Sequence, residues 1–134
     1  VTDPGFSDRL RDLLARNPEC DVDDVNLLKV GRHFQVTPRA TAVVGRNQGE
    51  NETLTEIARP GDRLLEVTIR PGPLTLLRGE ATEEALRCAA ELTVRYGKAS
   101  KLPDAPVRIR EAGKSDESER IIHAAPAPRQ GGNA

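Results

Sequence analysis

The chain has 134 residues, 31% of them charged, and a formal net charge of −1 at pH 7. Charge this close to balance provides no global field to draw in or repel a polyanion. The aromatics are only Phe6, Phe34 and Tyr96, too few for a platform that reads splayed bases by stacking.

Along the chain, Phe6, Leu10, Leu13 and Leu14 recur at helical spacing, with Ser7 or Asp8 to cap the first turn, which predicts a short amphipathic helix up to about Arg16. Asn17 and Pro18 end it, and the acidic segment Asp21 to Asp24 follows as a loop. Leu28, Val30, Phe34 and Val36 then alternate, predicting a strand over Asn26 to Val36 with one buried face. Thr37-Pro38-Arg39 reads as a turn, and Ala40 to Val44 as the returning strand.

Asn47, with Glu50 three residues on, has capping-box spacing. A helix is expected to start there, bury Leu54, Ile57 and Ala58, and stop at Pro60-Gly61. The next strand runs from about Arg63 to Ile69. Arg70-Pro71-Gly72-Pro73 has the Pro-Gly order of a type II turn, so Leu74 to Arg78 pairs back as a hairpin. A second helix is predicted over Thr82 to Tyr96, with Thr82 as N-cap, Glu83 and Glu84 in the first turn, Arg95 in the last and Gly97 beyond its end. Its apolar arc is Ala85, Leu86, Ala89, Ala90, Leu92, Thr93 and Tyr96. Val107 to Arg110 is read as a final edge strand, and Glu111 to Ala134, rich in Ala, Pro, Gly, Ser and charge, as a flexible tail.

The fold class expected from this order is α+β, with a mixed or antiparallel sheet of two hairpins plus an edge strand, covered by two or three helices. The chain divides into a junction helix and acidic loop (1–25), a domain (26–110) and the tail (111–134). The absence of methionine and the abrupt polar opening at Val1 suggest a piece of a longer polypeptide. Two cysteines, Cys20 and Cys88, with no apolar leader and no bilayer-length apolar run, predict a cytoplasmic protein without a disulfide framework or a membrane partner.

The one clear electrostatic asymmetry is local. Asn26 to Gly49 contains no acid but holds Lys29, Arg32, His33, Arg39 and Arg46, whereas acids dominate before it. Alternation puts Arg32 on the apolar side of its strand, so it either reaches water at the sheet edge or pairs with a carboxylate or a ligand phosphate. His33 falls on the opposite face with Lys29 and Gln35, where it is an ordinary solvent-facing residue or a ligand contact. Gly45-Arg46-Asn47 sits at a strand end leading into a helix. It serves as a structural cap or as a phosphate site in which Arg46 binds bidentately.

No cofactor or metal site is expected. His123 lies in the presumed tail, and neither cysteine has a partner at zinc-ligand spacing. Catalysis is not expected either: Cys20 sits among acids, which disfavour its thiolate, and no serine has a Gly-x-Ser-x-Gly setting.

The runs Leu27-Leu28-Lys29-Val30-Gly31-Arg32-His33-Phe34 and Val43-Val44-Gly45-Arg46-Asn47, with Glu50-Asn51, Asp62 and Pro71-Gly72-Pro73, resemble the NFACT-R group of RNA-binding domains. The likeness covers about Thr2 to Arg110. It is closest to the version found C-terminal to an ATP-pyrophosphatase domain in bacterial tRNA 2-thiouridylase or tRNA (5-methylaminomethyl-2-thiouridylate) methyltransferase-like proteins, and Thr2-Asp3-Pro4-Gly5-Phe6 resembles their junction segment. Where better-known members have Asp-x-Trp-Phe-His, this chain has Asp62-Arg63-Leu64-Leu65-Glu66.

The resemblance implies a non-catalytic module that binds tRNA and an upstream ATP-pyrophosphatase domain as partner. It marks Gly45, Arg46, Asn47, Asn51, Asp62 and Gly72. With the basic segment, the predicted RNA-binding set is Lys29, Arg32, His33, Arg39, Arg46, Asn47 and Asn51. Two other functions compete. One is an interaction or homodimerisation module in which the apolar hairpin Arg63 to Arg78 meets a partner's sheet edge; the other is a sulfur-relay step through Cys20 or Cys88.

Overall fold

Alternating apolar residues and well-capped helices produce one sheet with a helix on each face. The computed structural model describes residues 29–113 and 119–127, together with Arg11 and Leu27. Its elements are β1 (Arg32–Thr37), β2 (Ala40–Val44), α1 (Gln48–Ile57), β3 (Arg63–Val67), β4 (Thr75–Gly79), α2 (Glu83–Arg95), a 3₁₀ turn (Lys98–Lys101), β5 (Ala105–Glu111) and β6 (Arg120–Ala124). The sheet is open, antiparallel throughout, and ordered β1-β2-β4-β3-β5-β6. This is the expected α+β class. The junction helix and acidic loop, apart from Arg11, lie outside the described residues.

The two sheet faces are packed separately. Ala42, Val44, Leu65, Leu77, Val107 and Ile109 meet Ala85, Ala89, Ala90 and Val94 of α2 in the larger core. The smaller core lies on the other face, where Leu54 of α1 packs with Leu27, Val43, Leu64, Leu74 and Leu76. The arc predicted for α2 is the one it buries, Tyr96 being its half-exposed C-cap. Within that interface the Thr93 hydroxyl donates to the Ala89 carbonyl at 2.7 Å and shares a 2.7 Å hydrogen bond with the Thr75 hydroxyl. Both buried hydroxyls are thereby satisfied.

Both caps form as predicted on one side: Asn47 accepts from the Glu50 N–H and Thr82 from the Ala85 N–H. The reciprocal half of the first capping box does not form. Glu50 takes the N–H of Arg46 rather than that of Asn47.

Four sequence expectations are corrected. The first strand starts at Arg32, not Asn26, because Gly31 has φ +73°, and a Cβ there would stand 2.7 Å from the Val44 carbonyl oxygen. The chain turns at that glycine, and Leu27 and Val30 join the α1 core instead of lining β1. Gly72 lacks the positive φ that a type II turn demands, so the β3–β4 hairpin closes through a longer loop. Both hairpin strands are interior, β4 beside β2 and β3 beside β5, so this hairpin has no free edge for a partner's sheet. Finally, β5 is not the edge: Arg120–Ala124, in the stretch expected to be tail, pairs with it as β6 and buries Ala124.

Candidate nucleic-acid interface

The β2–α1 connection is built around a close approach that only glycine permits. A Cβ on Gly45 would lie 2.1 Å from Asn51 Oδ1. Asn51 uses both ends of its amide on the β3–β4 loop, Oδ1 accepting from the Leu74 N–H at 3.0 Å and Nδ2 donating to the Gly72 carbonyl at 3.4 Å. The Gly45 N–H completes the clasp by donating to the Leu74 carbonyl at 3.0 Å. This interlock holds the Pro71–Pro73 loop against the start of α1.

A cleft of about 570 Å³ opens beside it. Its lining comes from Arg32 of β1, from Arg46 and Asn47 of the β2–α1 connection, and from Tyr96, Lys98 and Lys101 at and after the end of α2. Among the described residues four cations therefore line it, and no carboxylate does. Arg32 is exposed and held by geometry: its guanidinium carbon stands 4.7 Å from the Tyr96 ring centroid, and that ring packs against Phe34 at 5.6 Å. The two aromatics thus serve to position a cation, a contact worth about 0.5–1 kcal/mol at an exposed site.

Charge pairing separates the cations into two groups. Arg46 is held bidentately by Glu50, Nε to Oε1 at 2.9 Å and Nη2 to Oε2 at 2.7 Å. Arg63, Arg78, Arg108 and Arg120 also have carboxylate partners. Among the described residues, Arg32, Lys98 and Lys101 pair with no carboxylate. A cation without an internal partner retains its full attraction for an incoming anion.

Of the predicted residues, the cleft brings together Arg32, Arg46, Asn47 and Asn51. The Asn47 side chain is occupied as a cap, Asn51 is the clasp, and Arg46 faces the cleft with one edge committed to Glu50. Lys29, His33 and Arg39 are not among its walls. Lys29 is exposed in the turn before β1. His33 is half-buried, and its Nε2 donates to the Val30 carbonyl at 3.0 Å. Arg39 sits at the far end of β2 from Gly45, roughly 20 Å away at about 3.3 Å per residue, and lies 3.8 Å from Glu80.

Lys98, Lys101 and the role of Tyr96 were not anticipated. The signal was present as Arg95, Lys98 and Lys101 at three-residue spacing, but it begins in the last turn of α2 and continues past it. Cys88 is half-buried, and its thiol is pushed up by that burial and by Glu91 and Glu84, which suppresses the thiolate a sulfur relay needs. Cys20 lies outside the described residues.

The fold is similar to the solved structure of the C-terminal part of the fibronectin/fibrinogen-binding protein from Streptococcus suis, with a TM-score of 0.65 at 15% identity. The match covers 88% of this chain and 62% of that one, so the chain spans less than two thirds of its solved relative. No curated protein matches the sequence. A sequence profile described as the NFACT protein RNA binding domain matches residues 31–132, which include every strand and helix of the sheet and all walls of the cationic cleft. The chain belongs to this family of RNA-binding domains.

Proposed function

We propose that this chain is the non-catalytic tRNA-binding module of a cytoplasmic tRNA-modifying protein. In this reading it holds RNA through its phosphate backbone and shape for an ATP-pyrophosphatase domain elsewhere in a thiouridylase-like parent. The observation that carries the reading is the cleft in which Arg32, Lys98 and Lys101 face solvent without carboxylate partners among the described residues. Cations in such a setting bind phosphates by releasing counterions, a mechanism indifferent to sequence. The resemblance of Thr2-Asp3-Pro4-Gly5-Phe6 to the junction segment of thiouridylase-like proteins supports the parent. The tRNA ligand rests on the same family likeness.

Titration of labelled tRNA at several salt concentrations tests the proposal. For the wild type, log K is expected to fall linearly with log salt, with dissociation constants of roughly 10⁻⁴ to 10⁻⁶ M near physiological salt. Arg32→Ala should weaken binding several-fold, and Lys98→Ala with Lys101→Ala about tenfold, each lost cation lowering the salt slope by about one. Affinity that ignores salt, or that is the same in both variants as in the wild type, removes the reading.

A further inference from the structure

A second cleft, of about 300 Å³, also borders the Pro71–Gly72 segment and holds Arg70 and Arg110. It shares Gln48, Asn51, Pro71 and Gly72 with the first cleft, so the two adjoin at that segment and the first turn of α1. The shared segment is held in place. Asn51 clasps it through Gly72 and Leu74, and the Gly97 Cα lies only 3.5 Å from where a Cβ on Gly72 would stand. Lys98 is therefore next in sequence to one side of this contact, and Arg70 is two residues from the other.

Unlike the first cleft, the second carries two carboxylates, Glu52 and Glu66, beside Arg70 and Arg110. Among the described residues neither Arg70 nor Arg110 makes an ion pair, while Arg108, two residues from Arg110 on β5, is neutralised by Glu66 and Glu119. The carboxylate of Glu66, which lines this cleft, is thus already engaged. Glu52, its other acid, accepts from the Gln48 amide at 3.3 Å.

We infer that the two clefts form one path, and that Arg70 and Arg110 are a second phosphate-binding site for the same ligand, an extended single-stranded segment of RNA crossing at Pro71–Gly72. This rests on the RNA-binding reading above and deepens it. Cations without a carboxylate partner among the described residues line both clefts, Lys101, Lys98 and Arg32 the first and Arg70 and Arg110 the second. A flexible polyanion is the ligand class that uses such a set, since each phosphate adds one similar contact. A small anion would fill one cleft and leave the other unused.

Oligouridylates of about 4 and about 12 nucleotides, the range of site sizes common for small single-strand-binding folds, provide the test. With Arg70→Ala/Arg110→Ala, the short oligomer is expected to bind within twofold of wild type. The long one should bind at least fivefold more weakly, with its salt slope reduced by about 1.4, roughly 0.7 for each lost phosphate contact. Arg70→Glu, a change at an exposed loop residue that spares the sheet, should weaken the long oligomer further. A long oligomer with unchanged affinity and slope in both variants overturns the second site. If Arg32→Ala still weakens both oligomers in that case, the first cleft stands without the extension. If no oligomer binds the wild type, or Arg32→Ala affects neither, both fall together.

Discussion

Asp62→Ala is expected to lower the unfolding free energy by about 3–5 kcal/mol, a large part of the total stability of a small domain. Asp62 is 4% exposed, and its carboxylate receives Arg78 Nη2 at 2.7 Å, Arg78 Nε at 3.1 Å and the Arg59 N–H at 3.0 Å. The same guanidinium donates to the Ile57 carbonyl at 3.4 Å, and the backbone of Asp62 accepts from the Ala112 N–H at 2.8 Å. One residue thus joins the end of α1, strand β4 and the end of β5. Removing the carboxylate takes from the largely buried Arg78 cation the partner that holds it through Nε and Nη2, which costs far more than an exposed pair contributes. Urea unfolding followed by circular dichroism measures the loss. Arg78→Ala should cost a comparable amount, and the double variant clearly less than the sum, because neither partner is then stranded. A loss below about 1 kcal/mol for Asp62→Ala, the size of an average substitution, would show that the pair is not the lock described.

That result would also bear on what the family-marked residues do. Asp62, Gly45, Asn51 and Asn47 were legible as positions of interest through the family likeness, yet the structure uses their side chains, or the lack of one, inside the framework. Elements with a full period and a cap were readable: β2, α1 and α2 lie close to where alternation and capping put them. The start of β1 was not, because the apolar run continues through Leu28 and Val30 and only the tertiary contact of Gly31 with Val44 breaks it. Strand β6 was hidden by composition. Its inward residues, Ile122 and Ala124, supply little apolar signal between a charged stretch and an Ala-Pro segment. Local sequence also could not show that Glu50 claims Arg46, or that Lys98 and Lys101 line one cleft with Arg32, since the first needs a rotamer and the second needs the fold.

Glu50 supplies the second strong expectation, which concerns acid. Both oxygens are filled: Oε1 accepts the Arg46 N–H and Nε, each at 2.9 Å, while Oε2 accepts Arg46 Nη2 at 2.7 Å and the Gly31 N–H at 3.1 Å. The Arg46 side chain is the main cause that lowers the carboxyl from its ordinary 4.5 to about 2. Partial burial opposes the shift, and the backbone N–H groups of Gly31 and Arg46 reinforce it. A folded pKa below the unfolded one means that the group's contribution is complete above about pH 4.5 and is lost as pH falls towards 2. With the Arg46 side chain 51% exposed and that of Glu50 16%, solvent screening reduces the full conversion to about 2 kcal/mol. Glu50→Gln should therefore be less stable than wild type by about 2 kcal/mol at pH 7, with the gap closing as the pH is lowered through that window. A gap in urea unfolding that stays constant from pH 7 down to about 2.5 would contradict the linkage. The same carboxylate ties Gly31, the residue before Arg32, to the first turn of α1. Acid that releases it acts on the wall of the cleft as well as on the stability of the sheet.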